Sequence, residues 1–154
     1  MTMNMNMNMN MNMNVIRNVD HIAIAVWDID EALPYYTDVL GLPLVQDELL
    51  SSAGVRLAYV QAGNVMLQFV QPIGETPIRK HLEEKGEGLQ HLCFGVEDIP
   101  AALGSLPGEE QVQVKMGGRS RRACFIGAKP NGVPIELTEI DPYLAEDAAA
   151  GKNS

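Results

Sequence analysis

Residues 20 to 33, DHIAIAVWDIDEAL, align without a gap on residues 90 to 103, QHLCFGVEDIPAAL, at an offset of 70 with six identities in fourteen positions. His21 falls on His91, Val26 on Val96, Asp28 on Asp98, Ile29 on Ile99, Ala32 on Ala102 and Leu33 on Leu103. A second pairing follows at an offset of 68, where VMLQFVQP (65–72) meets VPIELTEI (133–140) and Gln68 falls on Glu136. The chain is therefore two copies of one supersecondary unit. Its 154 residues leave room for one domain or two small ones, enough to bury a core.

Each copy opens with a strand, because HIAIAV and HLCFGV are short apolar runs bounded by polar residues. A helix follows in the first copy. Asp28 is placed to cap it, Ile29, Leu33, Tyr36 and Leu40 recur at helical spacing, Pro34 bends it or delays its start, and Gly41 ends it. VRLAYVQAGNVMLQFVQ then reads as two strands joined at Ala62-Gly63-Asn64. The second copy is briefer, with RACFIG, a turn at Lys129-Pro130-Asn131-Gly132, and VPIELTE. Pro77 to Lys85 reads as a connecting helix stopped by Gly86. The expected fold class is α+β, each unit being β-α-β-β with room for a further strand. The expected organisation is a Met/Asn leader over 1–14, which is low-complexity and disordered, and one domain over 15–141. Within it, module one spans 15–75, a connector 76–86 and module two 87–141, and a polar tail covers 142–154.

Charge and cysteine content exclude several function classes. Lys and Arg total 11 against 20 Asp and Glu, a net charge of -9 that repels nucleic-acid phosphates and anionic lipid. No run approaches the roughly 18 apolar residues of a membrane helix, and the leader has neither the basic start nor the apolar stretch of a signal peptide. Cys93 and Cys124 make no disulfide framework, so a reducing, cytoplasmic setting is expected.

Alternation along the strands puts His21, Ala23 and Ala25 on one face, and Ile22, Ile24 and Val26 on the other. In the second copy His91, Cys93 and Gly95 oppose Leu92, Phe94 and Val96. Small residues behind a histidine suit a strand that packs on a helix with one face and lines a cavity with the other. Gln68 and Glu136 likewise point away from their apolar neighbours. If a pseudo-twofold relates the copies, His21, Gln68, His91 and Glu136 converge. Two imidazoles, an amide oxygen and a carboxylate suit one divalent first-row metal ion. With one negative ligand the site stays net positive, able to stabilise an oxyanion. His81, on the connector, reads as a surface residue.

These residues resemble the vicinal oxygen chelate superfamily (glyoxalase, bleomycin resistance and dioxygenase proteins), and within it the methylmalonyl-CoA epimerases. The resemblance spans about residues 18–140 and rests on VDHIAIAV, YYTDVLGL, GVRLAYV, KGEGLQHLCFGVEDI and GVPIEL. It implies two βαβββ modules forming a half-barrel, cobalt or manganese as the divalent metal held by His21, Gln68, His91 and Glu136, and a homodimer. It further implies an epimerase that removes and returns the α-proton of a 2-substituted acyl-CoA thioester, most of all methylmalonyl-CoA. Glu136 matches the carboxylate that is both ligand and acid/base. The family's other catalytic Glu falls near Leu57, which leaves Glu48 as the nearest acidic substitute. Gln90-His91 stands where the family often has His-His, and Gly127-Ala128-Lys129 where it has His-Pro-Lys, departures that touch substrate identity rather than the metal.

Independently of the resemblance, no acidic residue occurs from Gln111 to Ile135, while Lys115, Arg119, Arg121, Arg122 and Lys129 lie there. The expectation is a clamp for the anionic groups of the substrate. The alternatives are a glyoxalase I-like isomerase of a thiol adduct, an Fe(II) dioxygenase, for which a fourth ligand at Gln68 is one too many, and a metal-free binding protein.

Overall fold

The computed structural model describes residues 15–140; the expected leader and tail lie outside the described residues. Strand β1 (Asn18–Ala25) leads into helix α1 (Ile29–Pro34), then β2 (Leu44–Leu50), β3 (Val55–Ala62) and β4 (Val65–Pro72). Helix α2 (Pro77–Lys85) connects this half to β5 (Gly88–Val96), α3 (Ile99–Gly104), β6 (Lys115–Met116), β7 (Arg122–Phe125) and β8 (Ile135–Glu139). All eight strands join one sheet in the order β2-β3-β4-β1-β5-β8-β7-β6, curled into a half-barrel. The order reads as the same βαβββ module twice, back to back.

The register carries the repeat into space. β1 runs parallel to β4 and β5 parallel to β8, while β1 and β5 meet antiparallel at the centre. Across that seam His21 pairs with Cys93 and Ala23 with His91, so positions separated by the repeat offset exchange places. β4 sets Gln68 beside Ala23, and β8 sets Glu136 beside Cys93. Four adjacent strands thus place His21, Gln68, His91 and Glu136 in one neighbourhood.

The convex face is built twice. Val26, Ile29, Leu33, Ala58, Val60 and Phe69 pack under α1, and Val96, Ile99, Ala102, Leu103, Cys124 and Leu137 under α3. Each fully buried Leu or Ile contributes about 1.5–3 kcal/mol by leaving water. A third cluster, Ala23, Val55, Leu57, Tyr59 and Val70, lies on the concave side. Asp28 caps α1, and Pro34 ends its regular part: Tyr35–Val39 form a wider π-type turn, with the Leu40 amide on the Tyr35 carbonyl, before Gly41 turns out at φ 76°. Thr76 and Gly86 bound α2.

Two strands that the residue patterns alone leave unplaced, and that the resemblance implies as a fourth strand in each module, form the margins of the sheet. The segment carrying Glu48, to which the patterns assign no strand, is edge strand β2, and Lys115–Met116 form a two-residue edge at the other end. Both lie at sheet margins, where neither face is fully covered, so burial imposes no alternating pattern and charges are tolerated.

Candidate metal centre and its cavity

His21 on β1, His91 on β5 and Glu136 on β8 meet on the concave face. Their ligand atoms lie within 4.8 Å of one another. Glu136 Oε1 is 3.3 Å from His21 Nε2 and 3.1 Å from His91 Nε2, and the two rings stand edge to face with centroids 5.5 Å apart. Behind each ring the preceding residue supplies an acceptor. Asp20 Oδ2 is 2.6 Å from His21 Nδ1, and Gln90 Oε1 accepts from His91 Nδ1. Neutral imidazoles therefore carry their proton on Nδ1 and turn the Nε2 lone pairs toward Glu136. His21 Nε2 is buried with no hydrogen-bond partner among the described residues. Two lone pairs and a carboxylate facing one another repel unless a cation lies between them, so this donor set fits a divalent metal ion.

The protonation energetics agree. In the metal-free protein burial would raise the Glu136 pKa, yet the His21 and His91 rings, where they carry a second proton on Nε2 in place of a metal ion, bring it down to about 2. Burial also disfavours charge on His21, but Asp20 and Glu136 outweigh it and raise its pKa in the metal-free protein. Asp20 is held well below the usual carboxylate range because, against its burial, His21 and Arg119 stabilise the anion. A proton does in part what a cation would do.

Gln68 is buried on β4, and its Nε2 donates to Tyr59 Oη at 2.9 Å, leaving the amide oxygen as the atom for a ligand role. Tyr59 is its direct neighbour across the β3–β4 hairpin. Asp20, His21 and Cys93 form a second close group. Burial pushes the Cys93 thiol far above its usual range, so it stays protonated, and Asp20 is already taken by His21 and guanidinium groups.

A cavity of about 400 Å³ opens over the site. His91, Gln68 and Glu136 form its polar end, Leu57, Val70 and Phe125 are among its apolar walls, and Lys129 stands on its lining. It adjoins a groove of about 410 Å³ that shares Gln90, His91 and Lys129 and adds His81 and Lys85. His81, read as a surface residue, thus lines a groove whose positive charges are Lys85 and Lys129; burial and the Lys85 charge lower its own pKa.

The five basic residues expected to act as a clamp are not brought together in one place. Arg119 and Arg121 turn inward to Asp20, Lys115 is exposed on edge strand β6, and only Lys129 of the five lines the cavity. Arg122 lies on the opposite face of β7, the face of Cys124, and pairs with Glu139 and Asp98. Strand alternation separates it from the site. Glu48 Oε2 accepts from the Arg119 amide at 2.7 Å and is not among the groups lining the cavity, whereas Leu57 is. Asp20, Tyr59 and Gln90 are participants that sequence reasoning passed over. Their signals were present: Asp20 and Gln90 precede the matched histidines, and a two-residue hairpin loop at Gly63-Asn64 sets Tyr59 opposite Gln68.

The sequence profile of the Glyoxalase/Bleomycin resistance protein/Dioxygenase superfamily matches residues 20–125. The chain belongs to this superfamily, the vicinal oxygen chelate proteins. It is 34% identical over 131 residues to the uncharacterized protein YqjC of Bacillus subtilis, covering 80% of this chain and 93% of that protein. It is 30% identical to the ethylmalonyl-CoA/methylmalonyl-CoA epimerase of Cereibacter sphaeroides, covering 82% of this chain and 100% of that one. The crystal structure of methylmalonyl-CoA epimerase from Mycobacterium tuberculosis superposes with a TM-score of 0.76 at 33% identity, covering 86% of this chain and 94% of that one.

Proposed function

We propose that this protein is a metal-dependent epimerase of a 2-substituted acyl-CoA, with methylmalonyl-CoA as the leading substrate. The observation that carries the reading is the meeting of His21, His91 and Glu136, the last two lining an open cavity together with Gln68, with a buried His21 Nε2 that has no hydrogen-bond partner among the described residues. His21, Gln68, His91 and Glu136 would hold the ion, cobalt, manganese or another first-row divalent metal. When bound, it supplies the positive charge that stabilises the oxyanion formed as a thioester loses its α-proton.

The chain's own groups do the rest. Glu136, kept ionised by both imidazoles, takes the α-proton on one face. The apolar walls exclude water around it. Lys129, with Lys85 in the adjoining groove, provides the cationic surface for the phosphates and carboxylate of an acyl-CoA, taking the place of the larger clamp. For the opposite face the acid offered by the sequence is Glu48, but its bond to the Arg119 amide suits an anchor better than a proton carrier. Leu57 on the cavity wall favours a second reading, a glyoxalase I-like isomerisation, in which one carboxylate can remove and return the proton. In this reading the protein is a homodimer, which sedimentation velocity of the full chain tests. Among the described residues no helix is long and apolar enough to cross a membrane.

The deciding experiment incubates methylmalonyl-CoA with the protein in deuterated water, with and without chelator. The expected result is deuterium at the α-carbon only when metal is present. No exchange with this or other acyl-CoA esters, alongside turnover of a thiol adduct of an α-ketoaldehyde, would transfer the assignment to the second reading.

A further inference from the structure

Arg119 belongs to the second half of the repeat, on the short turn Gly118–Ser120 between β6 and β7, yet its side chain works in the first half. Its guanidinium forks onto the Asp20 carboxylate, with Nη2 on Oδ2 and Nη1 3.4 Å from Oδ1. The same group lies over the Tyr59 ring, 4.6 Å from its centroid. Asp20 in turn orients the His21 ring through Nδ1 at 2.6 Å, and Tyr59 Oη accepts from the Gln68 amide at 2.9 Å. One side chain, itself only 9% exposed, therefore stands behind both candidate ligands that the first module contributes. The equivalent of Asp20 behind His91 is the neutral Gln90, so the two halves are supported differently.

The local backbone is built to seat it. Arg119 and Ser120 both adopt left-handed conformations, φ 58° and 56°, which are sterically unfavourable for residues with a Cβ and persist only where surrounding contacts enforce them. Gly118 lets the turn approach: a Cβ there would fall 2.2 Å from Tyr59 Oη and 2.9 Å from Leu57 Cδ1. Glu48 fixes the Arg119 amide from the edge strand. These contacts hold the guanidinium in one place rather than leave it to sample solvent.

We infer that Arg119 is a positioning residue for the metal centre: it braces Asp20–His21 and Tyr59–Gln68 together, and so couples the ligands of module one to a turn of module two. The inference rests on the reading that His21 and Gln68 hold a divalent ion, but not on the reaction that ion serves. The fork and its stacking face matter, not charge alone, because a lysine can neither span both carboxylate oxygens nor lie flat on the ring.

The test measures Co²⁺ affinity by chelator competition, together with the visible absorption of bound Co²⁺, in the full chain. The variants are Arg119→Met, Arg119→Lys, Asp20→Asn and Arg119→Met with Asp20→Asn. Outer-shell substitutions at metal sites weaken binding about 10- to 100-fold, and we expect Arg119→Met at the lower end of that range with an altered Co²⁺ spectrum. Arg119→Lys should fall within about threefold of Arg119→Met, and the double variant within about twofold of the weaker single one, because residues in one network are not additive. Unchanged affinity and spectrum in the arginine variants, or effects that multiply in the double variant, would overturn the brace. If Arg119→Met does not fold, Arg119→Lys decides alone: wild-type affinity and spectrum there overturn it. Wild-type protein that binds Co²⁺ without exchanging any α-proton sinks the epimerase reading and leaves the brace intact, so the two failures are distinct.

Discussion

Glu136 is the residue on which the site turns, because both histidines direct Nε2 to one of its oxygens. In Glu136→Gln the amide keeps the shape and loses the charge, so the convergence of donors no longer favours a divalent ion. Metal analysis of the purified variant should find well under one equivalent per chain. Its α-proton exchange with methylmalonyl-CoA should fall by at least about 10²- to 10⁴-fold, the contribution of a positioned base. Retained metal with lost exchange would separate the proton-transfer role from ligation; retention of both would remove Glu136 from the site. The convergence of His21, Gln68, His91 and Glu136 was legible in the sequence because a repeat places equivalent residues at equivalent registers, and a strand's alternation then tells which face they share. Arg119 was legible only as a positive charge. Its direction depends on two left-handed residues and on a glycine pressed against Tyr59, none of which has a periodicity to read.

At the scale of elements the repeat recurs at the helix N-termini. The Ile29 amide donates to Gln71 Oε1 and the Ile99 amide to Glu139 Oε2, so the last strand of each module ends by capping its own helix. Asp28 and Asp98 accept the next free amides, from Asp30 and Ala101. Gln71 and Glu139 belong to the second matched segment, but their role depends on how far each strand runs past the helix start, which patterning does not reveal. Asp28→Ala removes one cap and leaves the Gln71 bond, so urea unfolding should show a loss of about 1 kcal/mol. Because α1 packs on the convex face, metal stoichiometry should stay at the wild-type level. A drop in metal content in this variant would mean that the two faces of the sheet are coupled more tightly than their separate cores suggest. The bend at Pro34 was readable because proline lacks an amide, whereas β2 was not, since an edge strand with both faces near solvent carries no alternation.

Across the whole molecule the candidate metal centre joins the two modules, since each contributes two of the candidate ligands, and stability should therefore depend on metal and on pH together. In the metal-free protein His21 has a pKa raised above the ordinary 6.5: burial opposes its charge, but Asp20 and Glu136 more than offset that. A raised pKa means that the folded state binds a proton more tightly than the unfolded chain. That stabilisation is fully present below about 6.5 and disappears as pH climbs through the raised value. Glu136 and Asp20 act in the opposite sense. Their depressed values add stability above the ordinary carboxylate range, lost as pH falls, for Glu136 toward about 2. Metal-free protein should thus be most stable in mildly acidic solution and weaken toward the alkaline side. Metal binding needs His21 neutral and releases its proton, so metal stabilises most where the proton has left. A ligand at about 100 times its Kd adds roughly 2.7 kcal/mol, enough to read as a shift in Tm. The gap in Tm between Co²⁺- or Mn²⁺-saturated and chelator-treated protein should widen between about pH 6 and about pH 8. A gap that stays constant or narrows over that range would show that His21 does not exchange a proton for the metal, and with it the case for His21 as a ligand would fall.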